Sequence, residues 1–98
     1  MSEDAARIDL WLWHARFFKT RALAAEFCGK NRIRLTRPGQ SEVRVDKPSR
    51  TIRPGDQLVF AIGKRLVAIE IQSIGERRGP AFEAQLLYRP LNPGDNPT

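Results

Sequence analysis

The sequence predicts an α+β fold in which two N-terminal helices pack on a small, strongly twisted antiparallel sheet. Three observations support this prediction. Apolar residues recur at helical spacing from Ile8 to Cys28, the spacing then changes to alternation, and turn residues interrupt the alternating part repeatedly. A chain of 98 residues is long enough for one domain with one modest core.

The first helix is expected to begin near Ile8. Ile8, Leu12 and Ala15 fall on one apolar stripe, and a second apolar stripe runs from Leu10 to Phe17. A helix that is apolar around so much of its circumference either packs on two sides or presents a hydrophobic patch to a partner.

The second helix is expected to begin at Thr20, which is a good N-cap residue. Its buried face runs from Leu23 to Cys28, and Gly29 is expected to end it in the left-handed conformation. The two helices therefore meet at a junction from Phe18 to Thr20.

Alternating residues predict five strands after the helices. A turn at Arg37–Gln40 indicates that the first two strands form a hairpin, and the proline-containing segment Lys47–Asp56 is predicted to be mostly loop. The predicted strands cover residues 33–35, 43–45, 58–62, 67–71 and 82–88. Residues 1–6 are predicted to be a disordered tail and residues 89–98 a flexible, proline-rich tail.

Positive charge is concentrated in the first half of the chain. The net charge is +6, and residues 7–53 alone carry twelve Lys or Arg and four Asp or Glu, a local balance of +8. This distribution favours a surface that binds a polyanion. The alternative is a solvated basic surface that only maintains solubility.

The helix junction holds the most informative cluster, which contains Arg16, Lys19, Thr20 and Arg21. Lys19 and Arg21 flank the N-terminus of the second helix, where the helix dipole already places partial positive charge. A phosphate there would meet free backbone N–H groups and both cations. The other interpretation is an ordinary exposed junction with solvated cations.

The hairpin adds a second basic cluster. Arg32, Arg34 and Arg44 occupy the polar phase of strands whose other phase is apolar, so they are expected on one face of the sheet. The basic surface continues into the next loop at Lys47, Ser49 and Arg50. Such a surface suits folded or duplex RNA, which is recognised by shape and backbone, and binding should weaken steeply with salt.

The sequence gives no sign of catalysis, a metal site or a cofactor. His14 has no partner at metal-ligand spacing and is expected to be a surface or interface residue, whereas Cys28 is expected to be a small buried hydrophobe. One cysteine and an acidic N-terminus favour the cytoplasm, and the longest apolar stretch, Leu58–Ile62, is too short for a membrane span.

Several motifs resemble the S-four type RNA-binding domain over about residues 7–88. The matching motifs are Arg7-Ile8-Asp9, Trp11-Leu12-Trp13, Ala15–Arg21, Leu23-Ala24, Lys47–Arg50 and Pro54-Gly55-Asp56. The later segment Gly75–Ala81 is similar to the ribosome-associated heat shock protein 15 family, in which this domain is nearly the whole protein.

The resemblance implies the alpha-L RNA-binding fold and binding to ribosomal RNA of the large subunit, in rescue of subunits that still hold a nascent chain on tRNA. By position, it implies RNA contacts at Arg7, Arg16, Lys19, Thr20, Arg21, Lys47, Pro48 and Ser49. Direct contact with tRNA stays open. We expect a monomer with no small-molecule substrate and no membrane partner.

Two other functions compete with this expectation. The first is an RNA-modifying enzyme, which would need a separate catalytic domain that 98 residues do not contain. The second is a module or adaptor for another structured RNA or for a protein, with Trp13 and the apolar helix face as the contact.

Overall fold

This computed structural model describes residues 5–91. They contain three short helices and seven strands, joined by turns and loops. In chain order they are β1 (Ala6–Arg7), α1 (Ile8–His14), α2 (Arg21–Cys28), β2 (Ile33–Thr36), β3 (Val43–Val45), β4 (Thr51–Ile52), β5 (Gln57–Ile62), β6 (Arg65–Ile71), α3 (Ala81–Gln85) and β7 (Tyr88–Pro90). The predicted α+β class is confirmed.

The strands form two antiparallel sheets. Five strands lie in the order β3-β2-β5-β6-β7, so the predicted β2–β3 hairpin is at one edge and β7 is at the other. The short strands β1 and β4 form a separate ladder that pairs Ala6 with Ile52 and Arg7 with Thr51. This ladder attaches the start of α1 to the loop after the hairpin.

The core lies between the two N-terminal helices and one face of the five-stranded sheet. Trp11 and Leu12 of α1 and Cys28 of α2 pack with Leu58 and Ile69 of the sheet, and all five are buried. The indole N–H of Trp11 donates to the carbonyl oxygen of Ser73 at 2.9 Å, so its polar atom is satisfied. The rest of the buried cluster includes Ile8, Ala15, Ala24, Ile33, Leu35, Val45, Ile52, Phe60, Val67 and Ile71.

The predicted fifth strand is wrong over most of its length. Residues 82–88 alternate in hydrophobicity, but Ala81–Gln85 form the helix α3 and only Tyr88 belongs to a strand. Pro80 starts this helix, where its missing N–H costs nothing, and the helix-favouring residues Glu83, Ala84 and Gln85 follow. Phe82 and Leu86 therefore share one exposed face, four residues apart, instead of facing the core.

Three smaller differences concern chain ends and turns. Ala6 and Arg89–Pro90 lie in strands rather than in tails, and the loop Lys47–Asp56 contains β4. The remainder of both predicted tails, residues 1–4 and 92–98, lies outside the described residues. Gly29 is the C-cap of α2 with a right-handed φ of −73°, and Asn31 takes the left-handed conformation at φ 62° instead.

Candidate nucleic-acid interface

A buried carboxylate at the start of α1 holds two arginines at the surface. Arg7 donates from Nε and Nη2 to both Asp9 oxygens, at 3.1 and 3.0 Å, and Arg21 Nε lies 4.0 Å from Asp9 Oδ2. The Asp9 side chain is 3% exposed, whereas both arginine side chains are about half exposed. Because each guanidinium has five N–H donors, both cations keep donors for a ligand.

Backbone hydrogen bonds bring the loop that contains Lys47, Ser49 and Arg50 to the same place. The N–H of Ile8 donates to Arg50 O at 2.8 Å, and the N–H of Asp9 donates to Pro48 O at 3.3 Å. All three loop side chains are exposed, and within residues 5–91 neither Lys47 nor Arg50 forms an ion pair. We call Arg7, Arg21 and residues 47–50 the helix-start cluster.

The N-terminus of α2 lies beside this cluster and carries uncompensated positive charge. Thr20 is the predicted N-cap, and its hydroxyl oxygen accepts from the N–H of Leu23 at 3.0 Å. The first turn of α2 has no acidic residue, and Lys19 is exposed just before it. The positive end of the helix dipole and Lys19 therefore favour an anion at this point.

Arg16 contacts the segment that precedes α3. Its Nε donates to the carbonyl oxygen of Gly79 at 2.7 Å, and its backbone has φ 67°, which is unusual outside glycine. Arg78 of the same segment lies 6.0 Å from the centre of the Trp13 ring, and its Nη2 donates to Phe18 O at 3.4 Å. Arg16 therefore joins the helix junction to residues 78–79 and is not part of the helix-start cluster.

The three hairpin arginines form a separate group, which we call the hairpin cluster. Arg34 and Arg44 are directly opposite each other across β2 and β3, so they project from the same face. Together with Arg32 they line an open cavity of about 440 Å³. The sequence predicted one continuous basic surface. The contacts group its residues as the helix-start cluster, the hairpin cluster and Arg16, and the continuity of these groups as one RNA-binding surface stays a prediction.

Sequence reasoning missed the acids and the arginine that organise this surface. Asp9 and Asp56 count as negative charges in a tally, although each is buried and holds an arginine through two hydrogen bonds. Arg78 lies in the Gly75–Ala81 segment, which the sequence marked only as a family motif. A carboxylate within an apolar helical stripe, such as Asp9 after Ile8, was the available signal.

The two residues considered for nucleophilic or metal chemistry are buried. Burial raises the pKa of the Cys28 thiol to about 12, with a further contribution from the Asp9 charge, so the thiol stays protonated. Burial also lowers the pKa of His14, opposed by a hydrogen bond with the Ile74 backbone and assisted by the Arg21 charge. His14 is thus buried within the chain, whereas a surface or interface position was expected.

Two further observations describe the part of the chain that the structure covers. Residues 5–91 contain no group of three or more His, Cys, Asp or Glu side chains placed to share a metal ion. None of the helices formed by these residues is both long and apolar enough to cross a bilayer.

Several known proteins are similar to this chain, although no family model matches it. The chain is 39% identical over 82 residues to heat shock protein 15 of Escherichia coli strain K12, and the match covers 84% of this chain and 57% of that protein. It is 34% identical over 70 residues to the RQC P-site tRNA stabilizing factor of Halalkalibacterium halodurans, covering 71% of this chain and 73% of that protein. The trimeric structure of Vibrio cholerae heat shock protein 15 superimposes with a TM-score of 0.74 at 36% identity, covering 90% of this chain and 83% of that one. The chain thus spans little more than half the length of the Escherichia coli relative.

Proposed function

Because this chain belongs to the heat shock protein 15 family, we propose that it binds structured ribosomal RNA of the large subunit and acts in rescue of subunits that hold a nascent chain on tRNA. The name of the Halalkalibacterium halodurans relative supports the link to tRNA in the P site. Binding of this kind is non-catalytic, needs no cofactor and takes place in the cytoplasm.

The helix-start cluster is the observation that carries this proposal. Lys47 and Arg50 are exposed without an ion pair in the described part of the chain, and they lie next to Arg7, which Asp9 orients. Cations that the protein itself does not neutralise are suited to phosphates of a folded RNA backbone. The backbone bonds from Ile8 and Asp9 fix the loop, so the cations are arranged before RNA binds.

The test replaces cations that have no structural task. Lys19→Gln, Lys47→Gln and Arg50→Gln in one variant remove three positive charges without breaking an ion pair that the structure shows. We expect the affinity for isolated large subunits, measured by co-sedimentation, to fall at least tenfold, at about 0.5–1 kcal/mol for each lost contact. Arg16 and Arg21 are left intact because they bond to Gly79 and Asp9.

The matched control removes the same charge elsewhere. Arg65→Gln, Arg77→Gln and Arg89→Gln lie on β6, in the segment before α3 and on β7, outside the helix-start cluster and outside the lining of the hairpin cavity. Arg77 and Arg89 form only exposed ion pairs, with Glu83 and Glu70, whose loss costs little. The affinity of this control for large subunits should stay within about twofold of the wild type, which includes the general effect of the lower net charge. Equal losses in the two triple variants would show that only net charge matters and would contradict the proposed surface.

A second proposal concerns self-association, since the Vibrio cholerae relative is trimeric whereas the sequence favoured a monomer here. Phe82 and Leu86 are 66% and 70% exposed on one face of α3, which gives this chain an apolar surface of its own. We therefore expect copies of the chain to associate through α3 instead of remaining monomeric. Light scattering measures the molar mass of the purified wild-type chain and of the Phe82→Ser variant. A larger mass for the wild type than for the variant would support association through α3, and a monomer mass for the wild type would contradict it.

A further inference from the structure

The arginines of the hairpin cluster line a cavity and not a flat surface. The cavity of about 440 Å³ lies between the β2–β3 hairpin, the C-terminal end of α2 and the β5–β6 turn. Its lining consists of the three arginines of the hairpin cluster together with Phe27, Asn31, Ala61 and Gly63. Its volume falls within the range of about 300–1,000 Å³ of pockets that enclose a small ligand.

The positive charges around the cavity repel one another unless a bound anion neutralises them. Arg34 and Arg44 are directly opposite on neighbouring strands, an arrangement that destabilises a sheet when the charges are alike. Glu42 compensates weakly, because its carboxylate is 3.8 Å from Arg34 Nε and both side chains are about half exposed. Within residues 5–91, Arg32 and Arg44 form no ion pair, so the concave site concentrates positive potential.

The other lining residues suit a flat, hydrogen-bonding ligand. Phe27 is half-buried and is fixed by Phe18 and Phe60, whose ring centroids lie 5.2 and 5.9 Å away. Asn31 has φ 62°, a conformation that asparagine adopts more easily than most residues, and its amide offers both a donor and an acceptor. Ala61 and Gly63 are small, so they leave the cavity open.

From these features we infer that the cavity holds one unstacked nucleotide of the bound RNA, with its base against Phe27 and Asn31 and its phosphate on Arg34 and Arg44. The α2 dipole fixes this direction, since the C-terminal end of a helix carries partial negative charge and repels phosphate from the Phe27 side. This inference rests on the proposed RNA-binding function and deepens it. The expected RNA is then one that contains an unpaired base, and not a fully paired duplex recognised by its shape alone.

A fully paired duplex would leave this cavity unused. Bases in an A-form helix stay stacked and present their backbone to a protein, whereas bases in loops and bulges can turn outwards and stack on aromatic rings. An aromatic wall next to converging arginines is the combination that binds a base and its phosphate together. The helix-start cluster, by contrast, offers exposed cations and remains suited to the sugar–phosphate backbone.

The test uses single nucleotides, so its result does not depend on ribosome binding. The isotope-labelled full chain is titrated with adenosine 5′-monophosphate, with cytidine 5′-monophosphate and with ribose 5-phosphate, and the NMR amide signals of Phe27, Asn31, Ala61 and Gly63 are followed. We expect saturable shifts at these four residues with a Kd on the order of 1 mM for the adenine nucleotide. Ribose 5-phosphate, which lacks the base, should bind about tenfold more weakly.

Two variants separate the base from the phosphate. Arg44→Gln should weaken all three ligands at least fivefold, since it removes a charge that every ligand needs. Asn31→Gly keeps the positive φ at no steric cost, so the chain folds, and it should weaken the nucleotides while leaving ribose 5-phosphate unchanged. Arg89→Gln, on the far edge of the sheet, is the control and should leave all three affinities as they are.

The results distinguish failure of the nucleotide site from failure of the proposed ribosome-binding function. Equal binding of ribose 5-phosphate and the nucleotides, or the absence of shifts at the four residues, would overturn the nucleotide site whatever the protein does on ribosomes. Normal nucleotide binding together with no co-sedimentation on large subunits would overturn the proposed function and leave the cavity assigned. Loss of nucleotide binding in Arg44→Gln but not in Arg89→Gln is the supporting outcome.

Discussion

At the scale of single residues, two buried acids position the arginines around them. Asp9 is the first, and Asp56 is the second. Both oxygens of Asp56 accept from Arg37 at 2.9 Å, and one also accepts from the backbone N–H of Arg53 at 2.9 Å. The hydrogen bond with Asp56 raises the pKa of Arg37, so this arginine is a structural cation and not a free one.

Replacing Asp56 should therefore destabilise the fold. Asp56→Asn keeps the shape but removes a charge whose side chain is 1% exposed, and it replaces one of the two oxygens that accept from Arg37 by an NH2 group, which cannot accept. Breaking a buried ion pair by removing one partner costs about 3–5 kcal/mol, and because Arg37 reaches solvent we expect about 2–4 kcal/mol here. Denaturant unfolding measures the loss, with Glu70→Gln, which interrupts an exposed pair with Arg89, as the control. Similar free energies of unfolding for the two variants would show that Asp56 does not hold the fold.

At the scale of elements, local signals predicted α1, α2 and the hairpin. Helical spacing predicts α1 and α2 because their buried faces follow it, and Thr20 caps α2 as expected. The turn between β2 and β3 was also visible in the sequence, since proline and glycine mark it. Alternation wrongly predicted a strand at α3, because a helix of five residues has too few turns for its spacing to be distinguished from alternation.

The cap of α2 gives a prediction about that helix. Thr20→Ala removes the acceptor of the Leu23 N–H and should lower the free energy of unfolding by about 1 kcal/mol, whereas Thr20→Ser should retain most of it. Thermal unfolding of the three proteins provides the measurement. If alanine and serine behave alike, the hydroxyl group does not stabilise α2. RNA contact by Thr20 stays a prediction. It is compatible with the cap, because the hydroxyl group can donate to RNA while its oxygen accepts from the Leu23 N–H.

At the scale of the whole molecule, the two ends of the main sheet differ in charge. Residues 7–53, which include the hairpin edge and the N-terminal helices, carry a balance of +8, whereas residues 63–91, after β5, carry five Lys or Arg and three Glu, a balance of +2. The charge tally predicted this asymmetry, but not the division into clusters. Division depends on contacts between distant residues, such as Arg16 with Gly79, which no local pattern encodes.

The charge asymmetry predicts a steep dependence of binding on salt. Each neutralised phosphate should contribute about 0.7–0.9 to the slope of log affinity against log salt concentration. The variant with Lys19, Lys47 and Arg50 replaced should therefore lose about two to three units of slope relative to the wild type on large subunits. An adaptor that binds protein through apolar contacts would show almost no slope, so a flat titration would contradict RNA binding.

The hydrogen bonds from Ile8 and Asp9 to the loop at 48–50 also determine when this chain becomes able to bind. The paired groups are about forty positions apart, so a chain whose synthesis has stopped before residue 48 lacks Arg50 and cannot form these bonds, although Asp9 can already pair with Arg7 and Arg21. The complete helix-start cluster thus requires about the first half of the chain to have been made. A truncated copy would lack the closed arrangement and would compete poorly with finished molecules.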